Sequence, residues 1–402
     1  MTTLTSAARP RRMLARIAPF ALMIFFGYLT VGLPLAVLSL HVHDTLGFGD
    51  LAVGVTIGIQ SLATLLTRQL AGNLCDCVGS KTSVLAGGIV LAAAALIYLA
   101  STIAGLSPAA SLGVLLFGRG MLGVGESLLM TGALAWAIGA VGSENTGKVM
   151  VWVGIAMYAA IAAGAPLGMQ LMLEQHVVAG FVAISLGTLL FCLLALGLAA
   201  ITAPVAPPRG ERMPFLKVVT RVAPFGAGLA LATVGFSAIA AFAALDYHSR
   251  GWTGAGLALA GFGAAYILTR LMFGGLPDRL GGIRVAIASL LIETVGQALL
   301  WLAPTPVVAL GGAILTGIGF SLVFPSFGIE AVRGVPPTSR GAALGAYVAF
   351  FDIGAAVAAP ATGLVTSAFG YSSAFATGAL AAAAALVLAG RAARASVTVA
   401  SR

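Results

Sequence analysis

Leu66-Thr67-Arg68-Gln69-Leu70-Ala71-Gly72-Asn73-Leu74-Cys75-Asp76-Cys77-Val78-Gly79 reappears as Leu268-Thr269-Arg270-Leu271-Met272-Phe273-Gly274-Gly275-Leu276-Pro277-Asp278-Arg279-Leu280-Gly281. Each copy joins two long apolar runs and holds the same relative place in its half of the chain. Two further matches follow in the same order. Gly123-Val124-Gly125-Glu126-Ser127-Leu128 aligns with Gly317-Ile318-Gly319-Phe320-Ser321-Leu322, and Ala165-Pro166-Leu167-Gly168 aligns, with one extra residue, with Ala359-Pro360-Ala361-Thr362-Gly363. Three matched pairs in one order make chance a poor explanation. Halves duplicated in an apolar chain mark a membrane protein built from repeats.

Composition agrees. Of 402 residues, 60% are hydrophobic and 8% are charged, against about 25% charged in soluble domains. Fifty-three glycines suit helices packed closely in lipid, where small residues let backbones approach. The formal charge of +9 does not point to nucleic acid: the basic residues are dispersed into short connections, with no basic groove pattern. Cys75, Cys77 and Cys192 give no disulfide framework, and no metal-ligand cluster accompanies them. No cofactor or metal is expected. The first apolar run is too long for a cleavable signal peptide.

Apolar runs fall near 17–42, 50–73, 82–105, 110–140, 147–172, 177–202, 218–246, 253–276, 283–303, 306–331, 340–367 and 371–391. Each approaches or exceeds the roughly 20 residues that span a bilayer. The expectation is an all-α membrane protein of twelve transmembrane helices in two pseudo-symmetric six-helix halves, 1–202 and 222–402, joined by the polar, proline-rich linker 203–221. Arg9, Arg11, Arg12, Arg16, Lys81, Lys148, Arg209, Arg212, Lys217, Arg279, Arg284, Arg333, Arg340, Arg391 and Arg394 fall on one side, whereas the loops of the other carry only Arg250. The positive-inside rule then puts both termini in the cytoplasm. His41, His43, His176 and His248 fall at the opposite face, as interfacial polar residues or as pH sensors.

Gly72, Leu74, Asp76, Gly79 and Lys81, with their second copy at Gly274, Leu276, Asp278, Arg279, Gly281 and Arg284, resemble the signature loop of the major facilitator superfamily (MFS). Arg119 with Gly123 and Gly125 resembles its fourth-helix motif, and Gly164-Ala165-Pro166-Leu167-Gly168 its fifth-helix antiporter motif with Ala between Gly and Pro. With Leu33-Pro34-Leu35, these details are similar to small bacterial YhhS-type exporters and to sugar- and drug-efflux members. The resemblance implies a transporter of the bacterial inner membrane, monomeric and not an enzyme. It also implies a cytoplasmic latch drawn from Gly72, Asp76, Gly79, Lys81, Arg68, Asp278 and Arg279. Cys77 stands where the family usually has arginine, and Arg68 or Lys81 could supply that charge. The latch residues could instead serve only topology and helix packing. Gly164, Pro166 and Gly168 form the helix-kink motif.

Charges within spanning runs carry the chemistry, because such charges are expensive there and functional by default. Arg119 and Glu126 lie seven residues apart on one run, on nearly one face and roughly 10 Å apart along the axis. They read as a proton- or substrate-handling pair, or as a structural ion pair. Asp352 has no evident local partner and is, after Glu126, the second candidate for proton coupling or substrate contact; a packing role through a hydrogen bond to a neighbouring helix is the alternative. Glu293 and Gln297 form a polar patch read as structural or interfacial. Since the first, fourth, seventh and tenth helices line the cavity in the superfamily, Arg119, Tyr28, Thr30, Ser127, Thr131, Trp136, Phe236, Ser237, Phe320, Ser321 and Phe324 are cavity candidates. Gln60, Tyr158, Tyr266 and Tyr347 flank them. This lining has no arginine cluster for phosphates and suits an amphipathic or lightly polar organic solute. The expected activity is proton-coupled antiport by alternating access; proton-coupled uptake and ligand sensing without transport are the alternatives. Protons, the solute and membrane lipid are the expected partners.

Overall fold

The computed structural model describes residues 8–103, 105–142, 146–173, 177–205, 215–333 and 340–400. Among these the chain is helical, with no strand. The spanning helices are α1 (Ala8–Leu40), α2 (Asp50–Cys77), α3 (Ser80–Ala100), α4 (Pro108–Val141), α5 (Thr146–Leu173) and α6 (Val177–Ile201), then α7 (Phe215–Ser249), α8 (Ala255–Phe273), α9 (Gly282–Trp301), α10 (Pro306–Arg333), α11 (Arg340–Phe369) and α12 (Ser373–Ala400). A π-helical turn, His41–Thr45, extends α1, and a single helical turn, Leu276–Leu280, precedes α9. All twelve helices are long and apolar enough to cross a membrane. In hydrocarbon every backbone N–H and C=O needs an internal partner, and continuous helices supply one. Helix α7 starts inside the stretch that reads as linker. Val218 and Val222, four residues apart, are buried there while Lys217 and Arg221 remain exposed. Linker residues 206–214 and His176 lie outside the described residues.

Neighbour relations repeat between the halves. Helix α1 packs on α4, α5 and α6, α4 on α2 and α3, and α3 on α6; in the same way α7 packs on α10, α11 and α12, α10 on α8 and α9, and α9 on α12. A further sequence match underlies this: Arg16-Ile17-Ala18-Pro19-Phe20 opens the first helix of one half as Arg221-Val222-Ala223-Pro224-Phe225 opens that of the other. The halves meet along two seams of the same kind, α2 on α11 and α8 on α5, with a smaller contact of α1 on α7. One end of the bundle carries the start of α1 and the end of α12 and is called here the terminus end; the other is the far end.

Glycines set the close approaches. Gly54 and Gly58 let α2 lie against the backbone of Ala356 and Ala359 and the ring of Pro360 on α11. Gly123 lets α4 approach the backbone of Gln60 on α2, where the Thr64 hydroxyl also donates to the Gly123 carbonyl at 3.0 Å. That approach positions the site described next.

Candidate functional site

Glu126 sits midway along α4. Its Oε1 accepts from the Tyr28 hydroxyl at 2.7 Å and its Oε2 from the Gln60 amide at 2.6 Å. Helices α1, α2 and α4 each contribute one group. A carboxylate held by two neutral donors is satisfied without a counter-charge, and charge-assisted bonds of this length are strong ones. Gln60 brings its amide here because Gly123 admits the α2 backbone.

Beside this cluster Arg68 Nε donates to Asp352 Oδ2 at 2.6 Å. Asp352 has no local partner in the sequence; its partner comes from the other half of the chain. Arg68, assigned to the loop latch from sequence, is engaged across the α2–α11 seam. Both side chains are mostly buried, with 21% and 6% exposure.

A second cluster, of aromatic rings, lies where α5, α7, α8 and α10 meet. Tyr158 of α5 stacks on Tyr266 of α8 with ring centroids 3.8 Å apart, and it also meets Phe236, Phe262 and Phe320. The Arg270 guanidinium lies 4.9 Å from the Tyr266 ring centre and donates to the Ser321 carbonyl. Phe320 extends this wall to Phe351, next to Asp352. The repeat alignment explains the two walls. Gln60 corresponds to Phe262 and Arg68 to Arg270, each 202 residues on; Glu126 corresponds to Phe320 and Tyr158 to Asp352, each 194 on. At three of these four positions one half places a hydrogen-bonding group where the other places a ring, while the arginine is kept in both. Sequence inspection singled out most of these residues but not the exchange, which the two repeat offsets would have exposed.

Several expected cavity residues are engaged elsewhere. Arg119 does not pair with Glu126. It is fully buried, donating to the Thr56 and Ile57 carbonyls of α2 and to the Tyr98 hydroxyl of α3. Two helical turns is a long reach, and these acceptors are nearer. Trp136 is also fully buried. Its Nε1 donates to the Ala203 carbonyl and its ring packs on Phe20, so it braces the terminus end. Thr30 donates to Gly27, Ser321 to Tyr266 and Tyr347 to Phe324, all backbone carbonyls. Ser237 is buried, and Phe236 and Phe324 are half-buried. The hydroxyls of Ser127 and Thr131 are enclosed, with no hydrogen-bond partner among the described residues.

The profile of the Major Facilitator Superfamily matches residues 20–254 and 223–401. The chain belongs to the major facilitator superfamily. It is 47% identical over 366 residues to an uncharacterized MFS-type transporter of Burkholderia mallei (strain SAVP1), covering 90% of this chain and 88% of that protein. An uncharacterized MFS-type transporter of Pseudomonas aeruginosa (strain UCBPP-PA14) is 48% identical over 375 residues, covering 93% and 92%. In fold it is similar to a D-xylose-proton symporter, with a TM-score of 0.75 at 15% identity over 92% of this chain and 97% of that one.

The other superfamily motifs can now be placed. The side chains of Asp76 and Asp278 lie outside the described set, and Arg279 is exposed. Lys81 does not reach the second half. Its ammonium donates to the Ala200 and Thr202 carbonyls at the end of α6, where unpaired carbonyls and the helix dipole favour a cation. Glycines 72 and 79 have open space where a Cβ would stand. In the kink motif, Gly164 and Gly168 face the backbone of Gly32 and Leu33 on α1, while Ala165 and Pro166 meet Gly256 of α8.

Histidines link the halves at the far end. His43 bonds the Asp44 carboxylate at 2.8 Å and the Tyr371 hydroxyl at 2.9 Å, and His248 lies 3.8 Å from Asp44. Burial, then the charges of Asp50 and Asp44, push the Tyr371 phenol up to about 12. His41, expected at the interface, is buried and stacked on Phe181 at 4.2 Å. A cavity of about 470 Å³ opens between α1 and α5 near the terminus end, lined by Ile17, Ala21, Leu22, Phe25, Trp152 and Ile155 among others. Apolar side chains and the Trp152 indole line it, whereas the Glu126 cluster brings several polar groups together and is taken as the candidate site.

Proposed function

We propose that this chain exports a small amphipathic or lightly polar organic solute in exchange for protons, by rocking its two halves about the site between Glu126 and the aromatic wall. The observation that carries this reading is the Glu126 carboxyl, held at membrane depth by Tyr28 and Gln60 and in no ion pair among the described residues, beside the Arg68–Asp352 pair that joins the halves. Glu126 is the group we assign to proton exchange as a solute comes and goes. Asp352 is the second proton-handling group, able to titrate when the halves part and Arg68 withdraws. Rings of the aromatic cluster suit the apolar part of a solute. The basic residues Arg16, Lys81, Lys217, Arg279, Arg284 and Arg333 at the terminus end make that end cytoplasmic. The membrane would then be the bacterial inner membrane, with a monomer as the working unit and the chain dividing at linker 203–221.

The test begins with thermal-shift screening of amphipathic solutes on the purified protein, since a true ligand raises the melting temperature by mass action. The best stabiliser is then followed in proteoliposomes under an imposed pH gradient. Glu126→Gln should abolish proton-driven flux of that solute while solute–solute exchange continues. Proton-driven flux that survives unchanged would remove Glu126 from the coupling role.

A further inference from the structure

Glu293 lies midway along α9, wholly buried, and neither carboxyl oxygen has a hydrogen-bond partner among the described residues. Gln297, one turn on, is also wholly buried. Its amide donates to the Gly235 carbonyl and the Thr316 hydroxyl, and its Oε1 is unpartnered. Glycines from three helices make room for the two side chains. A Cβ built on Gly235 of α7 would stand 3.1 Å from Glu293 Oε1 and 3.0 Å from Gln297 Nε2. One on Gly319 of α10 would stand 2.8 Å from the Glu293 Cβ, and one on Gly378 of α12 would strike Gln297 Oε1.

The repeat shows that packing does not require this carboxyl. Glu293 corresponds to Leu91 and Gln297 to Ala95, both 202 residues earlier. Leu91 fills the same place against Gly125 that Glu293 fills against Gly319. A leucine suffices for that contact in one half, and the other half has an acid. An unpaired buried carboxylate is too costly to keep ionised, so a single positive charge must neutralise it. Among the described residues no ion pair includes Glu293. The charged groups on the surrounding helices stand toward their ends: Lys217, Arg221, Asp246 and His248 on α7, Arg284 on α9, Glu330 and Arg333 on α10, Arg391 on α12. Tyr158 of the aromatic wall is close enough to interact with it electrostatically. Gly235 and Gly319 directly precede Phe236 and Phe320 of that wall, so Glu293 sits one layer behind the rings.

We propose that Glu293 is a proton-binding site of the second half, loaded in this conformation and exchanged with water when α7 and α10 move. Only its coupling to solute rests on the function proposed above; occupancy by a proton does not.

The test is infrared difference spectroscopy of the full chain in lipid bilayers, which needs no substrate. At neutral pH the wild type should show a protonated-carboxyl C=O band that Glu293→Gln lacks, and transfer to D₂O should shift it. Glu293→Leu, which copies the first half, provides the same comparison if the glutamine variant does not fold. Identical wild-type and variant spectra would overturn the proposal. So would a band that never shifts in D₂O, which marks a sealed structural acid, or one that sodium chloride removes at constant pH, which marks a metal-cation site. Loss of proton-driven flux in Glu126→Gln is read separately, so either result can fail without the other.

Discussion

Arg68 reaches Asp352 across the seam between the halves, and neither side chain has much water to replace the other. Removing one member of such a pair leaves a charge without its partner, at about 3–5 kcal/mol for fully buried pairs. Arg68 keeps some solvent, which puts the expected loss at the lower end. Arg68→Gln and Asp352→Asn should each lower stability by about 3 kcal/mol, seen as a drop in melting temperature in detergent. The double variant should recover most of it, because two neutral amides leave no orphaned charge. Strictly additive losses would show that the pair is not an energetic unit. Glu126 differs: its partners Tyr28 and Gln60 are neutral, so Glu126→Gln keeps an acceptor for the tyrosine.

At the scale of elements, the packing of α5 on α1 is set by two glycines four residues apart. Gly164 and Gly168 present no side chain to the backbone of Gly32 and Leu33, a small-residue contact of the kind that joins helices in lipid. Gly164→Val should force the helices apart and lower stability by about 1–3 kcal/mol, the usual range for overpacking. A melting temperature equal to wild type would refute the contact. Gly72→Ala, where a Cβ meets open space, is the matched control. These elements were legible in the sequence because apolar length and repeat order are one-dimensional properties. Partnerships were not. Spacing placed Arg119 and Glu126 on one face of α4, but it could not show that α2 carbonyls and Tyr98 stand nearer to the arginine. Nor could it show that a cation from α2 would find Asp352 on α11. The repeat offsets held more than motif matching extracted, including the exchange of Gln60 and Glu126 for Phe262 and Phe320.

For the whole molecule, duplication supplies the scaffold and divergence supplies the site. The two seams, α2 on α11 and α8 on α5, are the same contact made twice, the symmetry that the proposed rocking of the halves needs. The two clusters differ because at most of the matched positions one half carries a polar group where the other carries a ring. Rocking requires the far end to separate, and there the halves are joined by side chains, with His248 of one half 3.8 Å from Asp44 of the other and Tyr371 bonded to His43. A covalent tie at that end should therefore hold the protein in one state. In a Cys77→Ser background, which removes the exposed native thiol, Asp44→Cys with His248→Cys should be joined by a short bifunctional thiol reagent. The joined protein should lose solute exchange in proteoliposomes, and reduction should restore it. Each single-cysteine variant should be indifferent to the reagent. Exchange that continues at full rate in the cross-linked protein would mean that solute crosses without parting the far end, and rocking of the halves would have to be abandoned.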